Sequence, residues 1–399
     1  MRAKIASLVW KYSVVSGIAL AFAPLGCASQ STASSSADVA ETMGDAGAGA
    51  DTAKEVLSGE PTCENCLFTQ QPAAPHPGGL GSLALAPEQT ISYGSEPYKQ
   101  ILVVRPEGAG PLPTVLFVAG KQLYQGGSPL KLGAPYRLFL EHIASHGYVA
   151  AFVRVEQNLL DGDHLRMADD LLTAATVLAA QVPQASPTLL AYVGHSMGAK
   201  VVLLAASKAT AGDPTGKFPD PKAVLAFAVS NEPPPFGAFQ DAVPEVAKIP
   251  ADSATWFTLA TGDDDTIAPW NDPQKANAQA LYDALKTERR QLIVVDGTGP
   301  DDPNMATTPE LVDDHSAPLS IEGKPGGAAD FAMPISHLDA LDWYGFWKWT
   351  VGALDFHFGN GSPAWAYGAL RTHGGTSAQG QVILHQIVHQ GWSMLPAKN

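Results

Sequence analysis

The stretch "AYVGHSMGAKVVLLAA", residues 191–206, decides how the chain is read. A run of small apolar residues stops at Gly194. His195, Ser196 and Met197 follow, and after Gly198 a second apolar run begins. The first run, "TLLAYVG", is short and continuously apolar, as a strand covered on both faces is. The second, "GAKVVLLAASKA", carries the composition of a helix. A polar side chain set between two glycines at such a junction predicts a turn too tight for flanking side chains.

Outward from this junction the same alternation continues. "KQILVVRPEG" and "PTVLFVAG" read as strands, and "APYRLFLEHIASHG" reads as a helix followed by the strand "YVAAFVRVE". A long helix is predicted at about 164–181, because Ala168, Leu171, Leu172, Ala175 and Leu178 fall on one face. "KAVLAFAVS", "TWFTLAT" and "QLIVVDG" read as further strands, with a helix at about 273–287 before the last. Regular strand–helix alternation with apolar strands predicts an α/β domain, doubly wound, with a mostly parallel sheet and helices on both faces. Beyond Gly297 the chain is irregular and rich in Pro, Asp and Gly, a long loop at 298–336. It is followed by the aromatic helix "HLDALDWYGFWKWTVGALDF", whose Trp343, Phe346, Trp347, Val351 and Leu354 share a face that should pack on the sheet. The extension 357–399 has no assignable role. His385 and His389 are spaced to share a helix face, but two histidines without a third ligand do not make a metal site.

The ends and the bulk composition set the context. The chain has 399 residues, 45% hydrophobic and 16% charged, with 24 basic against 39 acidic side chains and a net charge of −15. No basic run exists, so a nucleic-acid partner is not expected. Arg2, Lys4 and Lys11 precede or flank an apolar segment that ends at Leu25-Gly26-Cys27, which reads as an export signal over 1–27. The cysteine after Gly26 resembles the lipobox of bacterial lipoproteins, which implies a lipid on Cys27 and anchorage to the cell envelope. Residues 28–60 are dominated by Ala, Ser, Gly and acidic residues, a tether with too little apolar content to join a core. The domain proper is expected over 61–399. Cys63 and Cys66 suit a small disulfide in an oxidising compartment. No second CxxC is present to complete a zinc site.

The turn 194–198 fits a nucleophile elbow, the G-x-S-x-G element of α/β-hydrolases, because it lies between a strand and a helix. Ser196 is then the nucleophile, and the Met197 N–H, at the helix start, faces a developing oxyanion. A serine needs a base held by an acid, and in this fold the order is serine, acid, histidine. "TWFTLATGDDDTIAPW" supplies the acid after a strand: Asp265, with Asp263 and Asp264 solvating or capping the turn. GHSMG with a downstream D-T-I-A-P resembles the secreted polyester hydrolases and cutinase-like lipases of bacteria, and that resemblance implies the triad-acid role for Asp265. The stretch "LFVAGKQLYQGG…FLEHIASHGYVAAFVRV" resembles the chlorophyllase and dienelactone-hydrolase relatives. By that resemblance the Lys121 N–H is the second oxyanion donor, His195 lines the substrate, and the usual histidine before Gly120 is replaced by Ala119. Ala199-Lys200 stands where polyester hydrolases have a glycine run. The base is sought in the loop after the last strand, which holds His315 and His337. His315 is preferred, since a helix start, where His337 would sit, disfavours a protonated imidazole.

The chain is therefore expected to be an exported serine ester hydrolase acting on a small-molecule or polymeric ester, needing no metal or organic cofactor and acting as a monomer. Acidic loop residues such as Asp301 and Asp302 are read as solvated, not as a calcium site. An acyltransferase would use the same residues, and an inactive surface-binding protein could keep the scaffold.

Overall fold

The computed structural model describes residues 71–295 and 341–390, apart from 121–123, 126–127, 130–131, 134–135, 158–160, 212–217, 232–239, 264, 266–267, 273, 360, 378–379 and 384–385. The expected signal peptide, the tether 28–60, Cys27, Cys63, Cys66 and the loop 298–336 lie outside the described residues.

The apolar run before Gly194 forms the middle strand of a nine-stranded sheet, and the run after Gly198 forms the helix that follows it. In chain order its strands are β1 (Gln89–Ser92), β2 (Gln100–Val104), β3 (Leu112–Val118), β4 (Val149–Val153), β5 (Ala185–His195), β6 (Ala223–Phe227), β7 (Trp256–Gly262), β8 (Arg290–Val295) and β9 (Gln386–Gln390). Their spatial order is β1-β2-β4-β3-β5-β6-β7-β8-β9. The six strands from β4 to β8 in that order are parallel, while β1, β2 and β9 run antiparallel to their neighbours. Two short hairpins, Tyr124–Gln125 with Ser128–Pro129 and His373–Ser377 with Gly380–Ile383, stand apart from this sheet.

Helices cover both faces, as the continuous apolar strands require. The helices are α1 (Arg137–Ser145), α2 (His164–Gln181), α3 (Met197–Thr210), α4 (Val243–Val246), α5 (Ala278–Ala284), α6 (Lys348–Phe358) and α7 (Ala364–Tyr367). Successive residues of a strand point to opposite faces. Thus Leu116, Val118, Tyr192 and Val224 join one core with Leu171 of α2, Val202 of α3 and Leu281 of α5. Val115, Phe117, Val193 and Leu225 join the other core with Phe139 of α1 and Trp349 of α6. Each fully buried side chain of the Leu, Ile, Val or Phe type stabilises the fold by about 1.5–3 kcal/mol.

The expected long helix matches α2, and Asp163 caps it by accepting the Arg166 N–H at 3.1 Å. The aromatic face also packs as expected: Trp343, Phe346, Trp347, Val351 and Leu354 are all buried. The first part of that helix, Leu341–Trp347, is wound as a π-helix before α6 begins. Two expectations need correction. The helix read over 273–287 is only Ala278–Ala284, because Ala276 takes a left-handed backbone (φ 51°) that helical residues do not adopt. His389 lies on strand β9, where Leu292 is its register partner, so the helix face imagined for it with His385 does not form. His385 itself lies outside the described residues.

Candidate active site

The nucleophile candidate sits at the centre of the sheet. Gly194 pairs with Val118 of β3, and His195 pairs with Phe227 of β6. Ser196 follows at φ 53° and ψ −121°, and α3 begins at once with Met197. A positive φ is uncommon for a residue with a side chain. The Ser196 N–H donates to the Phe227 carbonyl at 2.9 Å, and its own carbonyl accepts from Ala199 N–H at 3.1 Å and Ser230 N–H at 3.3 Å. The glycines are explained by close approach. A Cβ on Gly194 would lie 2.7 Å from the Ala199 Cα, and one on Gly198 would lie 2.6 Å from the Val118 carbonyl carbon. A Cβ on Gly120 would meet the Ser196 Cβ at 3.1 Å, so the end of β3 runs directly past the serine.

The described residues include three non-glycine positions with positive φ: Ser196, Ala228 (φ 44°) and Ala276. The first two follow the carboxyl ends of β5 and β6, and the third lies in the connection after β7. Backbone strain thus gathers at one edge of the sheet, the edge where ligands of open α/β sheets bind.

Asp265 is three residues beyond β7 and is 2% exposed. One carboxylate oxygen accepts the Ala268 N–H at 2.7 Å, which fixes the side chain within its own turn. Asp263 differs: it is only half-buried, and its N–H continues the ladder to the Val295 carbonyl at 2.9 Å. Asp264 lies outside the described residues, as do Lys121, His315, His337, Asp301 and Asp302. Met197 is buried, and as the first residue of α3 its N–H has no acceptor within the helix. It lines a small pocket with Ala119, Gly120, Phe152, Arg154 and Glu156.

His195 is 3% exposed and its Nδ1 lies 2.9 Å from the Tyr136 hydroxyl. That hydroxyl also accepts the Gly120 N–H at 3.1 Å. Burial raises the Tyr136 hydroxyl well above the usual tyrosine range, so it stays protonated at all ordinary pH. Tyr136 therefore ties the end of β3 to the residue before the serine. Sequence reasoning did not find it, because a tyrosine ahead of a helix carries no signal of such a contact.

Lys200, one turn into α3, is fully buried, and its N–H lies 3.4 Å from the Ser196 carbonyl. Burial pushes its ammonium down to about 8, and Asp241 works against that shift. Of the later histidines, His357 is engaged elsewhere, with Nε2 3.0 Å from the Tyr367 hydroxyl. Among the described residues no group of three or more His, Cys, Asp or Glu is placed to hold a metal ion, and no helix is long and apolar enough to cross a membrane. No protein-family model matches the chain, and no curated protein matches it either.

Proposed function

We propose that the chain is an exported serine hydrolase that cleaves carboxylic esters on an α/β-hydrolase fold. One observation carries the reading: Ser196 holds a left-handed backbone between two glycines whose side chains would not fit, at the join of a central parallel strand and a helix. That is the geometry a nucleophile elbow needs. The strand order, with antiparallel strands at both edges of a parallel centre, and the buried Asp265 after β7 support it.

In this reading the Ser196 hydroxyl oxygen attacks the ester carbonyl carbon. His315 takes the hydroxyl proton and gives it to the departing alcohol. Asp265 orients the imidazole and stabilises its charge. The N–H groups of Met197 and Lys121 hold the tetrahedral oxyanion. Water, activated by the same histidine, then releases the acid from the acyl-enzyme. Cys27 carries the lipid that tethers the domain to the cell envelope.

A fluorophosphonate probe tests the reading. It should label the protein once, at Ser196, and Ser196→Ala should abolish both labelling and hydrolysis of p-nitrophenyl esters. Labelling that survives in Ser196→Ala would sink the assignment.

A further inference from the structure

Asn277 stands at the N-cap of α5, where an asparagine side chain ordinarily accepts an N–H of its own helix. It makes no such cap. It is fully buried, and both ends of its amide are used elsewhere. Its Oδ1 accepts the Asn231 N–H at 2.8 Å, and its Nδ2 donates to the Pro269 carbonyl at 3.0 Å. Pro269 closes the turn in which the Ala268 N–H holds Asp265. The next carbonyl, Trp270, accepts the Gln279 N–H at 2.9 Å.

Asn231 completes the bridge. It is also fully buried, and it follows Ser230, whose N–H donates to the Ser196 carbonyl. Its Nδ2 donates to the Ala276 carbonyl at 3.1 Å and to Asp241 at 2.9 Å, while its Oδ1 accepts the Ala242 N–H at 3.0 Å. The left-handed Ala276 is thereby held by a residue of another loop. Two buried amides thus connect the turn of Asp265 to the strand end that supports Ser196.

We infer that Asn277 is a positioning residue that sets where the Asp265 carboxylate stands relative to the Ser196 elbow. The inference rests on the roles proposed above for Ser196 and Asp265. A carboxylate beside the catalytic imidazole raises the pH at which the imidazole loses its proton, and a carboxylate free to drift raises it less. A displacement near 1 Å is enough to cost about 100-fold in rate.

The test compares Asn277→Ala, Asn277→Asp, Asp265→Asn and the double variant Asp265→Asn/Asn277→Ala. Initial rates on p-nitrophenyl acetate are taken from pH 5 to 9, with circular-dichroism melting as the measure of folding. Asn277→Ala should lower kcat by about 10- to 100-fold with KM little changed. The acid limb of its kcat/KM profile should move to lower pH. In the Asp265→Asn background the same change should cost nothing further, since both act through one carboxylate. Asn277→Asp keeps the acceptor for Asn231 and removes the donor to Pro269, so it too should lose at least tenfold in kcat. It also serves if the alanine variant does not fold. A melting point that falls while kcat and the acid limb stay at wild-type values would overturn the inference, as would losses that multiply in the double variant. If Asp265→Asn alone keeps wild-type activity, the triad reading fails instead.

Discussion

The tightest packing at the elbow gives the sharpest prediction. A Cβ at residue 198 would lie 2.6 Å from the Val118 carbonyl carbon. Carbon atoms sit at ease at about 3.5 Å or more, and the Val118 and Ala119 carbonyl oxygens lie nearer still, so α3 and the end of β3 would have to part by at least about 0.9 Å. Neither side yields easily. Val118 is held in the ladder opposite Gly194, and α3 packs its buried Val201, Val202 and Leu203 against the sheet. Gly198→Ala should therefore destabilise the fold by about 1–3 kcal/mol through overpacking. Because the helix start carries the Met197 N–H and supports Ser196, a shift near 1 Å should lower kcat by about 100-fold. Gly262→Ala is the control, since a Cβ there meets nothing within 4 Å. Urea unfolding and p-nitrophenyl acetate hydrolysis measure both effects. A Gly198→Ala protein as stable and active as the Gly262→Ala control would refute the packing argument.

Three further outcomes follow from the site. Asp265→Asn should keep the fold and lose about 10⁴ in kcat, while Asp263→Asn stays near wild type; the reverse pattern in the same ester assay would move the acid to Asp263. His315→Ala should be inactive and His337→Ala should retain activity, and steady-state kinetics showing the opposite would make His337 the base without changing the reaction class. Lys200 is protonated in both states at neutral pH, and the gap between about 8 and the usual 10.5 corresponds to about 3 kcal/mol against the fold. Between those values the unfolded chain holds more protons, so wild-type stability should rise with pH; Lys200→Met should unfold at higher urea than wild type below pH 8, with the difference closing towards pH 10.5.

The parts of this molecule that were legible in sequence are those decided within a few residues. Gly194, Ser196 and Gly198 announce a tight turn by their pattern alone, although only Gly194 is crowded by its own helix and Gly198 is crowded by the end of β3. The central strands announce themselves because burial on both faces leaves only apolar residues. The choice of Asp265 among three aspartates rests on the resemblance of Asp265-Thr266-Ile267-Ala268-Pro269 to a family pattern and stands as a proposal; the structure adds that Asp265 is buried and accepts the Ala268 N–H. What stayed hidden depends on partners far along the chain. The late start of α5 follows from Ala276, whose carbonyl is held by Asn231, 45 residues earlier. The link from Gly120 through Tyr136 to His195 joins three separate elements. Strand β9 was hidden for the same reason, since its pairing is with β8, about a hundred positions back, and not with a neighbouring hairpin.

Strand β9 also takes the edge position that β8 would otherwise hold. Residues Arg290–Val295 are almost wholly buried, and Gln291 to Val295 find their outer ladder partners in Gln386–Gln390. A chain shortened before residue 386 would present that row of N–H and C=O groups to solvent, along the uncharged stretch Gln291 to Val295 and with Arg290 the strand's one charge, at its start. Any second copy could then dock its own exposed β8 there. Residues Gln386–Gln390 in this sense shield β8, and trimming them should raise the tendency of the protein to self-associate.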